Sequence, residues 1–329
     1  MCIRDRIIVA TGGKEYRPSK YPFDGEKIIT QLELEERLSK KFDKKVKRIV
    51  MIQCAGSRGE ELPYCSKICC IEALKNALKI KEINPSIDVY ILYQDLRAYG
   101  FYEKYYLTAR EKGVKFIRFP GDKRPKIIKN ENQVSVKAYD TILKKEIEIP
   151  CDLVVLSVGI VPAQEKEIFN MLKLTQDADG FIMEAHVKLR PVDTYTDGVY
   201  ICGLAHGPKP LNEVIAQAKA AAGRACIPLA KGSAEIPPIA ASVDEKKCIG
   251  CGICVSLCPF GAIELIKVDK RRKARVIKAA CKGCGACAAR CPVFAIDTGG
   301  FSSPAILEQI EGFKKIEEKI EEKKEETAK

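Results

Sequence analysis

Apolar runs and amphipathic stretches alternate along the first two-thirds of the chain, and their order predicts an α/β protein. Residues 7–10 are apolar and run into Thr11-Gly12-Gly13, the pattern of a buried strand closing in a glycine turn. Residues 48–53, 88–93, 114–118 and 152–157 read as further strands, the last closing with Val158-Gly159. Between them, 66–80 sets Ile68, Ile71, Leu74 and Leu78 on one helical face, and 101–112 is a second helix. Strands and helices alternating at this spacing make βαβ units on a parallel sheet. Residues 133–139 and 145–149 alternate in polarity and predict an antiparallel hairpin. Strands are expected at 181–189 and 199–203, followed by a long alanine-rich helix over 211–226. Pro228, Pro237 and Pro238 mark 227–243 as a linker. From residue 305, Ile306, Ile310, Phe313, Ile316 and Ile320 keep helical spacing before the chain fades into charge. That tail is either a frayed surface helix or one that docks on a partner.

Beyond the linker the pattern is set by cysteine. Cys248, Cys251, Cys254 and Cys258 precede Pro259, and Cys281, Cys284, Cys287 and Cys291 precede Pro292. Each run is C-x2-C-x2-C-x3-C-P, the spacing of bacterial two-cluster ferredoxins. A two-residue spacing lets a tight loop turn three thiolates toward one centre, and the fourth cysteine starts a helical turn facing the other centre. This assigns Cys248, Cys251, Cys254 and Cys291 to one [4Fe-4S] cluster, and Cys281, Cys284, Cys287 and Cys258 to a second. Gly250, Gly252, Gly283 and Gly285 suit loops wound closely around inorganic sulfide. Zinc or a disulfide framework is the alternative, but the repeat, the spacing and both prolines favour clusters.

Composition narrows the class. The chain has 329 residues, room for two or three domains, and 16 cysteines, most at metal-ligand spacing. That usage points to a reducing compartment, the cytoplasm. No stretch approaches the roughly 20 apolar residues of a membrane span, so no direct membrane insertion is expected, and no secretory signal is visible. The formal charge of +12 invites nucleic acid as a partner. Three cubanes, each about −2 with its thiolates, would bring it to about +6. No basic stripe with interleaved aromatics is present, so nucleic acid is not expected. The opening Met1-Cys2-Ile3-Arg4-Asp5-Arg6 runs straight into an apolar strand and is similar to translated adapter sequence. Residues 1–6 are expected to be non-native.

A second cysteine set lies in the first half. After the strand 48–53, a nicotinamide-binding domain needs G-x-G-x-x-G/A so that its backbone can approach a pyrophosphate. This chain has Gln53-Cys54-Ala55-Gly56-Ser57-Arg58, then Tyr64-Cys65-Ser66-Lys67-Ile68-Cys69-Cys70. Four thiolates at a strand end and helix start could hold a third cluster. Structural thiols, or a redox-active Cys69/Cys70 pair, are the alternatives.

Two signals resemble the flavoprotein disulfide reductase fold, close to thioredoxin reductase. One is the pair of turns Ala10-Thr11-Gly12-Gly13 and Ser157-Val158-Gly159; the other is Thr196-Asp197-Gly198-Val199-Tyr200-Ile201-Cys202-Gly203 before the long helix. The resemblance implies an FAD site in which the helix N-terminus faces the flavin. Its implied contacts are Thr11, Gly12, Gly159, Gly203, Lys209, Asn212 and Val214. The family often has an acidic residue where this chain has Leu204. The fold class expected is therefore α/β, a thioredoxin-reductase-like flavoprotein portion with an inserted βαβ domain, plus an α+β two-cluster ferredoxin domain. The partial FAD domain is expected at 7–44 and 150–226, the inserted domain at 45–149, the ferredoxin domain at 244–300 and a helical tail at 301–329. The glycine fingerprint for the ADP part of FAD would lie upstream of Ile7, so an N-terminally truncated chain with an incomplete FAD site is expected. Cys151, Cys202 and Cys226 are expected to be buried small residues, and His186 and His206 structural.

Taken together, Gln-Cys-x-Gly-Ser-Arg, Tyr-Cys-Ser-x-x-Cys-Cys, the stretches 95–100 and 112–118, Gly207-Pro208-Lys209 and the appended cysteine repeat resemble HdrA, the A-type iron–sulfur flavoprotein of heterodisulfide reductase. The resemblance spans roughly 7–312. It implies that Cys54, Cys65, Cys69 and Cys70 bind a [4Fe-4S] cluster, giving three clusters and FAD. It implies an oxidoreductase component that passes electrons between flavin and clusters, with electron bifurcation at the flavin, and that is not active alone. The implied partners are heterodisulfide reductase B and C subunits, a hydrogenase or formate dehydrogenase electron-transfer subunit, and ferredoxin. A ferredoxin-fused NAD(P)H-dependent flavin oxidoreductase, or an electron-transfer module of a membrane quinone-linked complex, are the rival readings. No catalytic residue is identified.

Overall fold

The computed structural model describes residues 6–40, 42–43, 45–130, 133–232, 239–268, 271–278, 280–302, 304–314 and 316. Residues 1–5 of the opening, the middle of the expected linker (233–238) and the tail beyond 316 lie outside the described residues.

The centre of the α/β body is a five-stranded parallel sheet in the order Ile28–Thr30, Leu153–Val158, Arg48–Ala55, Asp88–Tyr93, Lys115–Arg118. Its middle strands are buried on both sides because they carry almost no polar residue. One face sets Ile49, Met51 and Val155 against Leu34 of helix Gln31–Lys40 and Leu74 and Ile80 of helix Cys69–Ile83. The other sets Val50, Ile52, Val154 and Leu156 against Val134, Val136 and Ile149. These last belong to an antiparallel sheet of Lys126–Lys129, Val134–Asp140 and Lys145–Cys151, so the expected hairpin gains a third strand. The sheet also corrects the expected division at 44/45 and 149/150. Ile28–Thr30 and Leu153–Val158 are hydrogen-bonded into the same sheet as 48–118, since only there can such apolar strands be covered on both faces.

Two crossing segments lead out of this sheet. Gly13–Glu15 pairs antiparallel with Ile160–Pro162. Next to them, Ile7–Val9 pairs in parallel with Val199–Ile201, which places the turns after both strands side by side. Of the first strand only Val9 is buried; Ile7 and Ile8 are each 41% exposed, because the two-stranded pairing covers one side. The strand expected at 181–189 is an irregular segment with isolated bridges at Ile182 and His186. Helix Leu211–Lys231 runs past Pro228 to Gly232, whose φ of 68° ends it, so the stretch expected as linker from 227 begins as helix. Only Ala221 and Ala225 of that helix are buried, and Cys226 is exposed, contrary to expectation, because it lies on the outward face.

The cysteine-repeat module is a small α+β unit. Ala241–Val243 pairs with Ile296–Thr298, and Ile263–Val268 with Arg271–Val276. Its core includes Cys248, Cys254 and Cys287 themselves. The tail is helical over 304–314, with Ile306, Ile310 and Phe313 exposed, as is Ile316.

Candidate functional site

Strand Arg48–Ala55 is the switch point of the sheet: Asp88–Tyr93 lies on one side and Leu153–Val158 on the other. The carboxyl end at such a point is where open α/β sheets bind ligands. Here that end is Cys54, held at φ 57°, a left-handed conformation that costs a non-glycine residue about 1 kcal/mol or more. The loop is kept in place by Arg124, whose guanidinium donates to the carbonyls of Cys54 (2.8 Å), Ser57 (2.9 Å) and Arg58 (2.7 Å). Arg58 in turn pairs with Asp95 at 2.8 Å, at the end of the neighbouring strand.

The other three cysteines reach the same place from the next segment. The hydroxyl of Tyr64 donates to the Ile160 carbonyl at 2.8 Å, and Ser66 Oγ accepts from the Ile160 N–H at 2.8 Å. These two bonds pin the Cys65 loop to the crossing strand. Gly159 sits under it: a Cβ there would lie 2.6 Å from both Leu62 Cδ1 and Ser57 Oγ. Helix Cys69–Ile83 then starts with two cysteines, so its partial positive end points at the thiols. Cys54, Cys69 and Cys70 are buried and Cys65 is half-buried. The four thiols feel one another. Burial, then the neighbouring Cys70, pushes Cys54 up to about 11. A hydrogen bond from Cys69 draws Cys70 down to about 7, and Cys69 itself is pushed well up. Cys70 Sγ also lies 3.8 Å from the Asp95 carbonyl. Four thiols gathered at one strand end and helix start, three of them buried, are the donor set that a cluster takes once their protons are released. Among the described residues no three or more His, Cys, Asp or Glu side chains close on a single metal ion; a four-iron cube needs a wider cage.

The residues expected around flavin divide into two places. The parallel pairing of Ile7–Val9 with Val199–Ile201 brings Thr11 and Gly12 beside Gly203, whose φ is 71°. Thr11 Oγ1 is buried without a hydrogen-bond partner, the kind of orphan that a bound ligand satisfies. Lys209 Nζ donates to the carbonyls of Gly203 and Gly207, each at 2.8 Å. Burial, then the charge of Lys67, brings Lys209 down to about 8. Val214 lies against Gly203, with its Cγ1 3.7 Å from where a Cβ would stand. Asn212 Oδ1 accepts from the Tyr102 hydroxyl at 3.3 Å, and Glu213 from Tyr99 at 2.6 Å. Gly159, by contrast, packs on the cysteine loop. His206 has a structural role: its ring joins Glu184 (2.8 Å) to the Gln217 amide (2.7 Å), and Gln217 accepts from the Gly203 N–H at 2.8 Å.

In the repeat module, Cys248, Cys251, Cys254 and Cys291 line one small apolar cage, and Cys258, Cys281, Cys284 and Cys287 line another. Backbone N–H groups aim at sulfur in matching pairs. Ala262 and Ala295 donate to Cys258 and Cys291, both at 3.3 Å, and Ala274 and Ala241 to Cys248 (3.4 Å) and Cys281 (3.3 Å). Such bonds stabilise thiolate charge and tune cluster potential. Gly250 (φ 72°) and Gly283 (φ 64°) are required, because a Cβ would run into the carbonyls of Arg272 and Ile239. Sequence reasoning missed Arg124, whose only signal was a lone arginine in the turn between Pro120 and Pro125.

The family model of the 4Fe-4S dicluster domain matches residues 241–298. The A-type component of H(2):CoB-CoM heterodisulfide,ferredoxin reductase from Methanothermobacter thermautotrophicus is 44% identical over 280 residues, covering 79% of this chain and 42% of the relative. An A-type CoB--CoM heterodisulfide reductase iron-sulfur protein of Methanopyrus kandleri is 42% identical over 347 residues, covering 97% of this chain and 51% of the relative. Among solved structures, T. acidophilum thioredoxin reductase matches with a TM-score of 0.45 and 18% identity, over 69% of this chain and 65% of that one. An α/β body joined to a 4Fe-4S dicluster domain defines the class of an iron–sulfur protein. The matched region belongs to the HdrA family of heterodisulfide reductase iron–sulfur proteins. The chain spans about half the length of the curated relatives it matches.

Proposed function

We propose that this chain is the electron-carrying portion of an iron–sulfur flavoprotein subunit in a heterodisulfide-reductase-type complex. The observation that carries the reading is the gathering of Cys54, Cys65, Cys69 and Cys70 at the switch point of the parallel sheet, in a chain that also holds the dicluster module. In this reading those four cysteines hold one [4Fe-4S] cluster and the two module cages hold one each. Thr11, Gly12, Gly203, Lys209 and Val214 border FAD on one side, and Asn212 and Gly159 support the surrounding loops. Bound FAD exchanges electron pairs and each cluster single electrons, which is the chemistry the set supplies.

The chain's own residues do the positioning. Arg124 and the Tyr64 and Ser66 bonds hold four thiols in one place, and burial around Cys54 and Cys69 keeps water from them. Lys209 keeps an ammonium tethered beside Gly203, where it would offset negative charge on a bound ligand. Names among the relatives include H(2), formate and ferredoxin. By that likeness the partners are heterodisulfide reductase B and C subunits, a hydrogenase or formate dehydrogenase subunit, and ferredoxin, with bifurcation at the flavin and a cytoplasmic location. No helix among the described residues is long and apolar enough to cross a membrane.

Iron and sulfide analysis after anaerobic reconstitution tests the reading. Three clusters require about twelve irons per chain; about eight would remove the Cys54 site. Flavin retention by a chain extended to the relatives' full length tests the FAD half.

A further inference from the structure

The two module cages are related by a sequence repeat, yet among the described residues a body–module ion pair and a side-chain hydrogen bond both fall at one of them. Lys282, between Cys281 and Cys284, pairs with Asp197 at 2.5 Å, and its side chain is only 20% exposed. Lys173 Nζ donates to the carbonyl of Gly261 at 3.1 Å, three residues after Cys258. Both contacts fall in the loops of the Cys258/Cys281/Cys284/Cys287 cage. The body side is a prepared platform. Thr196 Oγ1 donates to the carbonyls of Leu172 (3.0 Å) and Lys173 (3.3 Å), tying the two contact turns together. Arg190 holds Asp197 from the other side at 3.6 Å. Asp197 stands in the turn that opens strand Val199–Ile201, which leads directly to Gly203. Around the opposite cage, Ile249 is 63%, Ile253 42% and Phe294 79% exposed.

We infer that the module is oriented on the body by Lys282 and Lys173, with the Cys258/Cys281/Cys284/Cys287 cage proximal and the Cys248/Cys251/Cys254/Cys291 cage distal. The inference rests on the reading of both cages as cluster sites. The proximal cluster then stands between the body and the distal one. With clusters bound, an electron gained there would be one lost by the flavin or the body cluster, and it would pass on to the distal cluster. Lys282 and Lys173 are positioning residues: their ammonium groups bond Asp197 and the Gly261 carbonyl, and so decide which of two equivalent cages faces the body. The repeat alone cannot choose, because it makes the cages alike.

Carbodiimide coupling of the anaerobically reconstituted full chain, read by peptide mass spectrometry, tests this orientation. A Lys282–Asp197 link is expected, with the Lys115–Asp88 pair inside the body, at 2.8 Å, as the positive control. Lys282→Asp should abolish the link, and adding Asp197→Lys should restore it with the partners exchanged. If the control link forms while 282 and 197 stay unlinked, or if Lys246 and Lys247 beside the distal cage link to body carboxylates instead, the orientation is wrong. Iron content of the same sample separates this failure from loss of the clusters.

Discussion

The chain builds cysteine cages by two different routes. In the module, each cage draws three cysteines from within seven residues and a fourth from the other run, and six of the eight cysteines belong to the module's core or pack against it. Glycines at φ near 70° let the loops close, and backbone N–H groups of Ala274 and Ala241 on neighbouring strands donate to the cysteine sulfurs. In the body, Cys54 is next to last in a strand, Cys65 sits in a loop, and Cys69 and Cys70 start a helix. They converge because a sheet with its own core holds them, and because Arg124, from a turn 70 residues beyond Cys54, gathers the loop carbonyls. A cage that is its own core should stand or fall with its cluster. A cage mounted on an independent core should lose its cluster without losing the fold.

The largest predicted effect tests that contrast directly. Chelating the iron should strip hydrogen-exchange protection from 241–298, where cysteines make up much of the small core, while strands Arg48–Ala55 and Asp88–Tyr93 remain protected. Equal loss in both regions would abolish the distinction.

Next comes Arg124→Ala. It removes three charge-assisted bonds to carbonyls, an expected cost of about 3 kcal/mol in urea unfolding, and iron should fall from about twelve to about eight per chain. Arg124→Lys should not rescue it, because a single ammonium cannot span the three carbonyls. An unchanged iron content would mean that the loop holds its shape without the clamp.

Gly159→Ala should cost about 1–3 kcal/mol, because the new Cβ would press on Leu62 and Ser57 beneath the cysteine loop. Its signature in the cluster spectrum should come from the body site alone. Normal stability would show that the loop has room to yield.

The smallest effect lies away from both cages. Asp24 ties the start of strand Ile28–Thr30 to Lys129 of the antiparallel sheet at 2.7 Å, and accepts three backbone N–H groups. Burial opposes its charge, but Lys129 and those N–H groups outweigh it and draw the carboxyl down to about 2. Because the folded pKa is depressed, this stabilisation is present above about pH 4 and lost as pH falls toward 2. Asp24→Asn should cost about 1 kcal/mol at neutral pH, discounted for partial exposure, and nothing near pH 2. Iron content should not change.

Much of this was legible in the chain. Buried strands at 48–55 and 88–93 are spelled by unbroken apolar runs, which need no partner to be recognised. The expected strand at 181–189 failed because its apolar residues serve irregular packing: Phe181 and Ile182 are buried, but Val187 and Leu189 point outward at 69% and 79% exposure. The helix through Pro228 was missed because proline was read as a stop. It lies in the last turn, and the carbonyl of Pro228 accepts the capping N–H of Gly232.

What the sequence by itself determined is what short-range geometry can carry. C-x2-C-x2-C closes on one centre whatever surrounds it, so the module's cages could be partitioned residue by residue. The tertiary structure decided which distant groups serve the body cysteines, that Gly159 belongs to their loop, and that Lys282 and Lys173 turn one of two equivalent cages inward. Those choices depend on which surfaces meet once the sheet is formed. No local spacing records that, because the side chains involved lie tens of residues apart.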